Sequence, residues 1–258
     1  MNLTRSSNPV FGKQVFSRIY SDTDEGVMTI NGTLNKTALM LAIVIFAALF
    51  TWNKFFGTYN PSIPEAAFSS VKLWLLLGGI GGFITALVTT FRPQSAAISA
   101  PVYSVFEGLF LGGISAFFEA MYPGLVMRAV SLTFGVFVIM LLLYRSGKIR
   151  ATGKFRMGVI AATGGIALIY FIGFIASLFG AGMNFLFGNG ALGIGFSLVV
   201  VAIAALNLIL DFDMIEQGAH AGAPKFMEWY GAFGLMVTLI WLYIEILRLL
   251  AKFASSRE

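Results

Sequence analysis

Five carboxylates, Glu107, Asp211, Asp213, Glu216 and Glu245, lie inside or against long apolar stretches of this sequence. Ionisable groups in hydrocarbon are costly, face a bundle interior or a wet cavity, and mark ion or proton pathways. The chemistry on offer is oxygen ligation of a hard cation or a proton shared between neighbours. Asp211, Asp213 and Glu216 follow the apolar run 205–210. Residues two apart on a helix lie about 200° apart, so Asp211 and Asp213 cannot both face a core. Asp213 and Glu216 are three apart and share a face. The bland reading makes these acids the polar end of a helix, yet acids at a helix carboxyl end oppose the macrodipole. Asp213 is the preferred functional candidate, and Asp211 is expected on the opposite face.

Glu107 sits about ten residues beyond Ala97, near a bilayer midplane, where a charged acid costs ~2.5–3.5 kcal/mol. It is either an ion or proton site or a neutral acid donating one interhelical hydrogen bond. Glu245 shares a helix face with Thr238, seven residues back, and has Arg248 three residues on. It is either a pore-lining sensor or half of an ion pair near the outer interface.

The elements that must position these groups are seven apolar spans, at 34–53, 73–91, 97–118, 125–144, 157–179, 191–213 and 227–250. Each approaches the roughly 20 residues needed to cross a bilayer. Hydrophobic residues make up 58% of the 258 positions and charged residues 11%, too few to coat a soluble fold. The expected fold is an all-α, seven-transmembrane bundle over 34–253. A polar tail, 1–33, precedes it and a short one, 254–258, follows. The tail has no apolar core near its start, so it does not read as a secretory signal. Glycine patches at Gly78–Gly82, Gly112–Gly113, Gly164–Gly165 and Gly188–Gly195 are expected to let helices pack closely within the chain.

The net charge of +5 does not point to nucleic acid, because the basic residues flank membrane spans. Eleven of the 17 Lys and Arg fall on one side, led by the run 145–156 with five positive charges and no acid. That bias places the amino terminus in the cytoplasm and the carboxyl terminus outside. No cofactor is expected, and cysteine is absent, which removes thiolate sites. The chain has no HExxH and no P-loop, and His220 reads as a solvated residue of the loop after span six. An intramembrane aspartyl protease needs aspartates on two helices, whereas Asp211 and Asp213 share one. An enzyme is therefore not expected.

The segments Leu210-Asp-Phe-Asp213-Met-Ile-Glu216 and Leu242-Tyr-Ile-Glu245-Ile-Leu-Arg248-Leu-Leu250 resemble the last two spans of the transmembrane BAX-inhibitor-motif family, in its bacterial Bax inhibitor/YccA-type branch. The resemblance implies a central last helix wrapped by six others, and a pH-sensitive calcium leak in the bacterial inner membrane. It implies a proton-sharing pair of aspartates, one on each of the last two helices, that latches the pore. Asp213 matches the first. The second position falls on Glu245 or, aligned without a gap, on Thr238, with Glu107 as a further source of the carboxylate. Asp213, Glu107 and Glu245 are thus the candidate calcium- or proton-sensing groups. The rival expectation is a non-transporting regulator whose tail, 1–33, binds a membrane quality-control protease.

Overall fold

The computed structural model describes residues 26–180, 186 and 188–256, so the tail up to residue 25 lies outside the described residues. Seven helices follow one another: α1 (Ile30–Phe56), α2 (Pro64–Phe91), α3 (Ala96–Met121), α4 (Leu125–Arg145), α5 (Gly153–Leu178), α6 (Ala191–His220) and α7 (Met227–Ser255). All seven are long and apolar enough to cross a membrane. The β-type pairing among the described residues is a single bridge, Val27 with Pro224.

The helix starts have local causes. Thr29 caps α1 by accepting from the Gly32 amide, and Thr152 caps α5 by accepting from that of Phe155. At the start of α4, Gly124 takes φ +79, a left-handed value that suits glycine. The Glu119 carboxylate then accepts from the Gly124 and Val126 amides at 2.6 and 3.0 Å, covering donors that the helix leaves unpaired.

Close approach explains the glycines where α1, α2 and α3 meet. A Cβ on Gly78 would lie 2.6 Å from the Phe106 carbonyl, and one on Gly112 would lie 2.2 Å from the Ala48 carbonyl and the Thr51 hydroxyl. These positions set α3 against α2 and α1. Where lipid competes for apolar surface, such dense contact is what holds helices together. Gly164, Gly165 and Gly195 depart from the expectation. Among the described residues no neighbour lies within 4 Å of a Cβ built on any of them. The reason for the first two is that α5 packs mainly on α6, leaving that side of the helix open.

In α7, 61% of the most apolar stretch is buried, against 17% in α1, α2 and α5. It packs on α1, α3, α4 and α6. One core cluster joins α7 to α4 and α6 through Leu208, Phe212, Leu239 and Leu242. A second joins it to α1 and α3 through Met40, Tyr103, Met236 and Ile240. Helices α6 and α7 run antiparallel, since Ile215 meets Gly231 at one end and Ser197 meets Lys252 at the other.

Candidate functional site on the α6–α7 pair

Helix α6 continues beyond its apolar part to His220, so the acids at 211, 213 and 216 precede its end. The buried side chains Ala204, Leu208, Phe212 and Ile215 recur at helical spacing and face the core. Position 211 belongs to that stripe, being three residues beyond Leu208 and four before Ile215. Its carboxyl lies against the Thr238 hydroxyl of α7. Gly234, one turn earlier on α7, leaves room beside it, since a Cβ there would come 4.0 Å from Oδ1. The second oxygen, Oδ2, is sealed from the surface and has no hydrogen-bond partner among the described residues.

Asp213 sits differently. Its Oδ2 accepts from Arg156 Nη2 at 2.6 Å and from Gln217 Nε2 at 2.7 Å. Arg156 comes from the first turn of α5, so this pair ties α5 to α6. The expected placement of the two aspartates is therefore reversed: Asp211 faces α7 and Asp213 faces α5. The expectation ended the span at 213 and set Asp213 on the functional face, whereas the buried stripe puts position 211 there and the helix runs on to His220. The signal was present in the spacing of 204, 208, 212 and 215.

Glu216 accepts from the Tyr144 hydroxyl at the end of α4, and its other oxygen lies 3.7 Å from His220 Nε2. His220 is thus the last residue of α6 rather than a loop residue. Glu245 is buried and accepts from the Tyr170 hydroxyl at 2.9 Å. Arg248 Nη1 donates to that same tyrosine oxygen at 2.9 Å and lies 3.4 Å from Glu245 Oε1. Of the two readings for Glu245, the ion pair is the arrangement present. Glu107 turns toward α2, where its Oε2 would lie 3.0 Å from a Cβ on Gly82.

Asp213, Glu245 and Glu107 consequently occupy three separate places and form no common ligand set. Among the described residues no group of three His, Asp or Glu side chains is positioned to hold a metal ion. The sequence reading also passed over two buried charges of α7. Glu228 is sealed at its start, ion-paired with Lys36 and, at 2.9 Å, with Lys225. Lys252 is sealed near its end. The Lys225–Glu228 spacing was a local signal for the first.

Residues 8–255 match the family model described as Bax inhibitor 1 like. No curated protein and no solved structure matches the chain. The match spans all seven helices, including the α6–α7 pair that carries Asp211 and Thr238, and the chain belongs to the Bax inhibitor 1 like family.

Proposed function

We propose that this membrane protein is a pH-sensitive calcium leak channel of the bacterial inner membrane, with its amino terminus cytoplasmic, gated where Asp211 meets Thr238. The observation that carries the reading is the sealed, unpartnered Oδ2 of Asp211. A buried acceptor without a donor costs about 1–3 kcal/mol, so such a group is rarely kept for packing alone. An ionised carboxyl only accepts, whereas a protonated one also donates. Its contact with Thr238 therefore changes with its protonation state, and α6 and α7 are biased between two arrangements. Calcium as cargo follows from the resemblance in spans six and seven and from the preference of hard cations for oxygen. The basic run 145–156 supports the cytoplasmic placement of the amino terminus.

The test is calcium release from liposomes containing the full-length protein, below and above neutral pH. Wild type should leak in a pH-dependent way, and Asp211→Asn should leak alike at both. Asp213→Asn, which alters the ties to Arg156 and Gln217 and leaves Asp211 untouched, should keep the pH response. A wild-type response in Asp211→Asn would sink the gate. Absence of calcium flux through the wild-type protein would sink the channel and favour the regulatory alternative.

A further inference from the structure

Helix α7 ends with two cations one turn apart on the same face, Arg248 and Lys252. Lys252 is 4% exposed, and its Nζ donates to the Gly193 carbonyl and to the Ser197 hydroxyl, both at 2.9 Å. Both acceptors are neutral, and an ammonium has three donors. Among the described residues no carboxylate lies within ion-pair distance of it. Glu245, the acid two turns back, is already engaged by Tyr170 and Arg248. The other acid near this end, Glu119, is taken up by backbone amides. Among the described residues, two cations thus face one carboxylate that is already engaged, and the Lys252 ammonium has no counterion of its own. Burying such a charge is costly unless an anion accompanies it.

A cavity of about 770 Å³ opens beside these two side chains, where α3, α5 and α7 approach the start of α6. Its polar side carries Arg248, Lys252 and Tyr170, and Tyr170 is held under the guanidinium, 5.2 Å from the ring centroid. An apolar part of the lining is made by Phe117, Phe118 and Met121 at the end of α3. Phe117 and Met121 are also exposed on the outside of the bundle. A free inorganic anion would use the cations and have no use for that apolar lining. An amphiphile uses both, and the ends of spanning helices lie at the depth of lipid headgroups.

We propose that this cavity binds an anionic phospholipid, its phosphate held by Lys252 and Arg248 and its acyl chain laid along Phe117, Phe118 and Met121. Arginine supplies a planar fork for two phosphate oxygens and lysine a point charge.

The test is native mass spectrometry of the full-length protein released from micelles containing phosphatidylglycerol and phosphatidylcholine in equal amounts. Wild type should retain phosphatidylglycerol in preference. Lys252→Met and Arg248→Gln should each reduce that preference about five- to tenfold. Arg128→Gln makes the same charge change outside the cavity and should leave the preference intact. If Lys252→Met does not fold, the half-exposed Arg248 carries the test. Equal retention of the two lipids by wild type, or an unchanged preference in both variants, would overturn the site. Displacement of phosphatidylglycerol by millimolar inorganic phosphate, with equal thermal protection, would overturn the lipid assignment in favour of a free anion.

Discussion

The two ends of α7 each bury a charge, and they treat it in opposite ways. At the start, Glu228 is surrounded by Lys36, Lys225 and the amide and hydroxyl of Thr29, so the carboxylate has as many donors as lone-pair sites. The same end is filled: Met28 packs against Gly218 and Gly231, and its amide donates to the Ala223 carbonyl at 2.7 Å. At the far end, Lys252 has two neutral acceptors, a cationic neighbour and a cavity. A charge that closes its own network serves the fold, since it fastens the start of α1 to the α6–α7 turn. A charge left open beside a cavity serves something outside the chain.

That comparison is sharpened most by removing the carboxylate. Glu228→Ala leaves two lysines crowded at one site and strips Thr29 of its acceptor. The lysines keep some water, with 19% and 38% of their side chains exposed, which moderates the loss. The expected destabilisation is about 3 kcal/mol, read as a lowered midpoint of unfolding in mild detergent. A loss below about 1 kcal/mol would show that this network is a bystander. Met28→Ala comes next, at about 2 kcal/mol, because a side chain 3% exposed is cut back without its glycine neighbours being able to fill the gap. It should lower the same midpoint and leave the phosphatidylglycerol preference at the other end unchanged.

The seven spans were legible because a helix in hydrocarbon needs about 20 apolar residues, and composition alone reports that. The glycine contacts of α2 and α3 came from an equally local pattern. Asp211 was misplaced because the spacing of the two aspartates fixes only that they face apart, and the buried stripe of Ala204, Leu208, Phe212 and Ile215 decides which of them turns to α7. The environment of Glu228 could not be read beyond Lys225, since Thr29 and Lys36 lie 199 and 192 residues away in sequence. Lys252 is one basic residue among 17 in the sequence, and its partners are 55 and 59 residues distant. Long-range pairing is decided by packing, which local periodicity does not carry.

The smallest effect is expected at Lys252, and it is the one that most directly tests the contrast. Lys252→Met keeps most of the side chain's length and apolar stem while removing an ammonium whose acceptors are neutral. The lost bonds to Gly193 and Ser197 are offset by the lost cost of burying an unbalanced charge, so the two contributions oppose each other. The Gly193 carbonyl and the Ser197 hydroxyl retain helical backbone partners within reach of their own turns. In detergent free of anionic lipid the unfolding midpoint should shift by less than the equivalent of about 1 kcal/mol, in either direction. Added phosphatidylglycerol should then raise the midpoint of wild type and leave that of the variant in place, because a ligand stabilises only the form that binds it. A loss as large as that of Glu228→Ala, already present without lipid, would mean that Lys252 is as structural as Glu228. The difference between the two ends of α7 would then lie in the sign of the charge alone.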